Sequence, residues 1–172
     1  MSFYINSIYN FGIMKMIENE TITNWYYKEL YLHIDNIPKD AIAFVYRINH
    51  IKSGKWYIGR KCLTKTIYKQ INGKRKKIKV PSDWSIYWSS SSELQSWVKK
   101  EGEENFIKEI LFFTVSNSQT LYLEEFLLYS YNALIDENCL NNNIRAKIFR
   151  KWFLNKQKNK EFVDFLLNFK LK

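Results

Sequence analysis

Residues 41–62 read AIAFVYRINHIKSGKWYIGRKC. AIAFVYRIN is rich in β-branched and aromatic residues, IKSGK has the polar, Gly-containing make-up of a turn, and WYIGRKC is a second β-rich run. Together they predict a β-hairpin. Alternation along the second arm sends Trp56 and Ile58 to one face and Tyr57 and Gly59 to the other. Trp56 and Ile58 are expected to anchor a core while Tyr57 faces a ligand. Gly59 is expected to leave room for a phosphate or an ion beside it.

Outward from this hairpin the pattern stays mixed. Residues 67–80, IYKQINGKRKKIKV, place Asn72-Gly73 between two alternating arms. That dipeptide favours a type I′ turn, because both central residues need positive φ. Ser90-x-x-Glu93 has the form of a capping box and precedes ELQSWVKKEG, with Leu94, Trp97 and Val98 on one helical face and Gly102 as a stop. FIKEILFFTV, 106–115, is a third strand, and SNSQTLYLEEFLLYSYNAL, 116–134, begins with N-cap candidates and continues as an apolar helix.

Upstream, TNWYYKELYLHI is read as a short helix and residues 1–40 as an extension capping the core. Downstream, residues 146–172 form a basic amphipathic helical tail whose apolar face suits core packing. The main domain is 41–145. The expected fold class is α+β, with a small, mainly antiparallel sheet flanked by helices.

The 172-residue chain carries 27 Lys and Arg against 17 Asp and Glu, a net charge of +10, and its 6 Trp, 12 Tyr and 12 Phe are ample for a core. The charge implies an anionic partner, nucleic acid before a membrane surface. Two Cys and two His, unclustered, speak against a zinc site and exclude a disulfide framework. No apolar run approaches the ~18 residues of a membrane span. The opening MSFYINSIYNFGIMK lacks a basic segment before an apolar block, so no secretory signal is expected. An intracellular, cytoplasmic location with no membrane contact is the expectation.

Two features could carry chemistry. Lys65, Lys69, Lys74, Arg75, Lys76, Lys77 and Lys79 cluster on the second hairpin, with Lys55 in the preceding turn. A projecting cationic hairpin can straddle a groove or track phosphates; its bland alternative is a charge-blunted sheet edge. The pair Glu124-Glu125 lies inside the apolar helix, and a carboxylate held among leucines needs a partner. A divalent cation is one such partner, while solvent or a lysine is the other. Periodicity does not choose between the two glutamates. No phosphate-binding or dinucleotide glycine fingerprint exists among the five glycines.

Phe44-Val45-Tyr46, followed eleven positions later by Tyr57-Ile58-Gly59, resembles the paired signature of the GIY-YIG nuclease family, with Phe-Val in place of Gly-Ile. DWSIYWSSSSELQSWVKKEGEENFIKEIL, 83–111, resembles the block that follows it in phage-borne, homing-endonuclease-like members, with serine at the mid-block glycine. YLEEFLLYSYNAL and NNNIRAKI resemble the family's glutamate helix and its asparagine region. The likeness spans residues 41 to about 150.

The resemblance implies a metal-dependent endonuclease that hydrolyses phosphodiester bonds in DNA, double-stranded first, with Mg²⁺ or Mn²⁺. Carried over, Tyr46 becomes the general base or the group orienting the attacking water, and Tyr57 helps position water and phosphate. Glu124 becomes the metal ligand and Asn141 the family asparagine. The family arginine, about eight residues past the YIG glycine, falls on Ile67 here. Arg60 and Lys61 are the candidates to replace it, with Lys65 and Lys69 in reserve. The alternative is a catalytically inactive nucleic-acid-binding module that keeps the fold. Monomer and homodimer both stay open.

Overall fold

A computed structural model describes residues 22–144 and 160–169. The 41–62 hairpin is present as strands β3 (Ala43–His50) and β4 (Trp56–Cys62), paired antiparallel from Ala43↔Cys62 to Asn49↔Trp56. β3 sits between β4 and β7 (Phe106–Thr114), and both pairings are antiparallel. Bonded on both sides and covered on both faces, β3 needs a nearly continuous apolar run, which AFVYRI supplies.

Two further strands complete the sheet. β1 (Ile22–Tyr27) and β2 (Leu30–His33) form a hairpin, and β1 pairs parallel with β7 through Trp25↔Lys108. The sheet order is β2-β1-β7-β3-β4, mainly antiparallel. The helix expected over this stretch is therefore two strands. Its two-residue turn is Lys28-Glu29, both at positive φ (52° and 68°). Positive φ is uncommon for such residues, so no Gly or Asn marks the turn. Trp25 on β1 is fully buried, its Nε1 donating to the Trp84 carbonyl at 2.9 Å. The partners of its indole, Phe44, Tyr46, Trp84 and Lys108, are all distant in sequence, beyond local periodicity.

β5 (Thr64–Ile71) and β6 (Lys74–Pro81) make a separate two-stranded ribbon in continuous register from Thr64↔Pro81 to Ile71↔Lys74. Asn72 and Gly73 both adopt positive φ, as the type I′ reading requires.

Helices cover the two faces of the main sheet. α1 (Ser92–Glu101) is capped by Ser91, whose hydroxyl accepts from the Leu94 N–H, one residue later than the expected box, and Gly102 ends it. Leu94 and Val98 join Trp25, Phe44, Tyr46, Ile48, Trp84, Ile110 and Phe113 in one core. α2 (Asn117–Ser130) lays Leu123, Leu127 and Leu128 on Val45, Trp56 and Ile58 across the other face. α3 (Lys160–Asn168) adds Phe162, Phe165 and Leu166 to that second core. The described part of the tail thus packs on the domain, the use its apolar face suggests.

The outer edge of β4 is closed by residues 138–141. Trp56 N–H donates to the Asn138 carbonyl, and Leu140 N–H donates to the Trp56 carbonyl, both at 2.8 Å. The Asn141 side chain continues the ladder, accepting from Ile58 N–H at 2.9 Å and donating to the Ile58 carbonyl at 2.7 Å. An amide side chain does here what a neighbouring strand would do.

Candidate active site

β4 delivers side chains to both faces, as its alternation predicts. Trp56 and Ile58 are buried against α2, while half-buried Tyr57 opens on a groove of about 560 Å³. The groove is also lined by Arg60, by Glu124 and Glu125 of α2, by the α1 cap, and by Asn141.

Arg60 and Glu124 meet inside it, Arg60 Nε donating to Glu124 Oε2 at 2.6 Å. Burial pushes the Glu124 carboxyl above the usual range, and the Glu125 charge pushes the same way, against the pull of the Arg60 guanidinium. Neither glutamate points past the core into open solvent: Glu125 is buried, and only 18% of the Glu124 side chain is exposed.

Tyr46 lies behind Tyr57. It is 1% exposed, and its ring centroid is 6.3 Å from Tyr57 and 6.2 Å from Tyr87. It is the Cα partner of Gly59 across the hairpin. A Cβ on Gly59 would stand 2.6 Å from the Tyr46 hydroxyl oxygen and 2.8 Å from Tyr57 Cε1. The room expected for a phosphate or ion at Gly59 is therefore filled by the Tyr46 phenol. Burial raises the Tyr46 pKa well above that of free tyrosine, and the nearby Tyr57 and Tyr87 phenols add to it. A hydrogen bond to Tyr87 also keeps the proton on, while one from Ser89 works in the opposite direction. Among the described residues no cation acts to lower this pKa, so the phenol holds its proton at neutral pH.

The remaining predicted residues separate. Lys61 turns away from the groove lining, with its Nζ 2.7 Å from Asp83 Oδ1 and 3.6 Å above the Tyr87 ring. It braces Tyr87, which in turn braces Tyr46. Lys65, Lys69, Lys74, Arg75, Lys76, Lys77 and Lys79 are all exposed on the ribbon. Lys55 sits at the far end of β4 from that ribbon, over the Trp97 ring at 5.8 Å. Asn141 lines the groove while its amide is committed to the Ile58 backbone.

Tyr87, Ser89 and Lys108 are site-supporting residues that had no role assigned from sequence. Lys108 is buried on β7, its Nζ donating to the Tyr87 carbonyl at 3.1 Å and lying 4.4 and 4.6 Å from the Trp25 and Trp88 rings. Desolvation lowers its pKa to about 8, while the Glu103 charge opposes the shift. The indole faces also favour the charged form. Tyr87 falls within the DWSIYW stretch, but an irregular loop has no period from which its direction could be read.

Among the described residues no group of three or more His, Cys, Asp or Glu could hold an ion by itself. Mg²⁺ does not require one, being commonly held by one or two carboxylates with water and phosphate oxygens completing the shell. Glu124, with Glu125 and Glu93 on the same groove and Arg60 as its cation, fits that donor chemistry.

No curated protein and no solved structure matches the chain significantly. A family model described as "Putative endonuclease segE, GIY-YIG domain" matches residues 25–157, starting within β1 and so reaching further upstream than the motifs. Family members are endonucleases, with nucleic acid as substrate. Matched over most of its length, the chain belongs to the GIY-YIG nuclease family.

Proposed function

We propose that the protein is a metal-dependent endonuclease hydrolysing phosphodiester bonds of double-stranded DNA at the groove between β4 and α2. The observation that carries this reading is the Arg60–Glu124 pair at 2.6 Å, in a groove that Tyr57 also lines. A guanidinium and a half-buried carboxylate that neutralise each other at rest can part to take an anion and a cation respectively. Arg60 then faces the scissile phosphate as the cation that balances developing charge, in place of the arginine absent at Ile67. Glu124 is the residue that would hold Mg²⁺ or Mn²⁺, which when bound supplies Lewis acidity and activates water.

Tyr57 is the phenol that reaches the substrate and positions water. Tyr46, buried and holding its proton, fits the water-orienting half of its expected roles better than the base, and it acts through Tyr57 and Tyr87. Asn141 fixes the strand that carries Tyr57 and Arg60. The ribbon cations Lys65, Lys69, Lys74, Arg75, Lys76, Lys77 and Lys79 bind the DNA, with Lys55 as an outlying contact.

Supercoiled plasmid incubated with Mg²⁺ tests this reading. Wild type should nick it, and Glu124→Ala, Arg60→Ala and Tyr57→Phe should be at least 100-fold slower while still shifting DNA in a gel. Wild type nicking no faster than Glu124→Ala, with DNA binding intact, would make the protein a binding module instead.

A further inference from the structure

The ribbon is the most cationic part of the molecule. Residues 64–81 contain seven Lys and Arg and no acidic residue, so they carry most of the +10 net charge. Phosphate attraction alone would explain cations on any face. The register, however, sorts this ribbon into two unlike faces, because directly opposed residues of an antiparallel pair share a face.

On one face, Ile67↔Ile78 and Lys65↔Val80 bring together the half-buried residues of the ribbon, Ile67, Ile78 and Val80. The other face is polar and exposed: Thr66↔Lys79, Tyr68↔Lys77 and Gln70↔Arg75. Glutamine and arginine, the types at 70 and 75, are among those that make bidentate hydrogen bonds to adenine and guanine edges in the major groove. They sit directly opposite each other, one step from the turn. Arg75 is already ordered, with its guanidinium carbon 4.4 Å from the Tyr68 ring centroid.

Dimensions agree. Eight-residue strands run about 27 Å, and a two-stranded ribbon fits a major groove about 12 Å wide. The root is fixed: Ser82 N–H donates to the Leu63 carbonyl, Ser82 Oγ donates to the Cys62 carbonyl, and Lys61 pairs with Asp83. Thr64, the first ribbon residue, lies only four positions past Arg60.

We propose that the β5–β6 ribbon enters the major groove of duplex DNA with its Thr66–Tyr68–Gln70 face toward the bases, and that Gln70 and Arg75 read sequence. The nuclease domain then carries its own sequence reader, at a fixed offset from the Arg60–Glu124 groove. The proposal rests on the endonuclease reading only for that offset.

The test is binding, not cleavage. Full-length protein in EDTA selects duplexes from a randomised library by gel shift, and bound pools are sequenced. Wild type should enrich a short preferred site within about one helical turn. Gln70→Ala and Arg75→Ala should each lose tenfold to a hundredfold of the preference at one or two adjacent positions; affinity for a scrambled duplex should stay within about threefold of wild type in Gln70→Ala, while Arg75→Ala also weakens every sequence by the loss of one cation.

Arg75→Lys keeps the charge but not the planar fork, and should lose part of the preference while retaining the salt dependence. Lys69→Ala, on the opposite face, should weaken all sequences alike and lower the salt slope by about one. Replacing guanine by 7-deazaguanine at the preferred position should reproduce the Arg75→Ala loss. No enriched site in wild type, or a site unchanged in Gln70→Ala and Arg75→Ala, overturns the proposal and leaves a ribbon that binds phosphates only. A failure to nick plasmid with site preference intact would instead count against the nuclease reading alone.

Discussion

The phenol of Tyr46 occupies the space where Gly59 would carry a side chain. The two residues face each other across β3 and β4, with the hydroxyl oxygen 2.6 Å from the position of a Cβ. The φ of Gly59 is not in the left-handed region, so its requirement for glycine is steric rather than conformational. Gly59→Ala should destabilise the fold by about 1–3 kcal/mol through overpacking and should displace Tyr57 as well as Tyr46. Urea denaturation and plasmid nicking at a temperature where the variant is folded measure the two effects.

The Arg60–Glu124 pair should matter far more to catalysis than to stability. Arg60 is 45% exposed, and partly exposed ion pairs contribute at most about 1 kcal/mol. Arg60→Ala should therefore shift the unfolding free energy by less than that, yet slow nicking by two orders of magnitude or more. Arg60→Lys should recover part of the rate, because charge survives without the planar fork. Parallel losses of stability and rate in Arg60→Ala would mark the pair as structural.

Asn141 predicts the opposite balance. Its amide makes two hydrogen bonds to Ile58, and removing both should cost about 1–3 kcal/mol. Asn141→Asp keeps an acceptor for the Ile58 N–H but sets a carboxylate against the Ile58 carbonyl, so it should be no more stable than Asn141→Ala. Thermal melts rank the three proteins. If nicking by Asn141→Ala stays depressed at temperatures where it is fully folded, Asn141 also acts on the substrate.

Lys108 gives a pH dependence of definite sign. Its pKa falls from 10.5 in the unfolded chain to about 8 in the fold, so between these values the unfolded state binds more protons. Stability should rise as pH increases from 8 towards 9.5, by an amount bounded at about 3 kcal/mol by the full shift. Below pH 8 both states are protonated and this contribution is flat. The half-buried Cys139 thiol opposes this rise from about 9, and buried Tyr46 and half-buried Tyr87 reverse the sign above about 10, because each keeps a proton that its unfolded counterpart releases. Lys108→Met should flatten the 8–9.5 slope, as read from denaturation midpoints across that range.

What was legible in the chain follows its local signals. Asn72-Gly73 announced its turn because positive φ at two positions leaves few other residues to choose. The β3–β4 hairpin announced itself through β-branched runs around a glycine turn, and α2 through its leucines. β1 and β2 did not, because Lys28-Glu29 adopts a turn that those residues rarely enter, and Trp25 is held by partners distant in sequence. At the site, motif spacing led to Tyr57, Arg60 and Glu124, which share the groove. It did not separate Arg60 from Lys61, although strand alternation points them to opposite faces; Lys61 turns to Asp83 and Tyr87. Nor could it foresee that Gly59 makes room for Tyr46, which depends on cross-strand register.

β4 is an edge strand that also bears the groove's phenol and guanidinium, an awkward place for parts that need tight tolerances. The backbone and amide bonds from residues 138–141 give it a second neighbour without a second strand. Tyr57 and Arg60 are thereby held on a rail clamped from both sides, where an open edge would let them drift by fractions of an ångström that catalytic alignment does not tolerate. Residues 138–141, which form no strand of their own, act as the jig that sets the positional accuracy of the domain's most exacting strand.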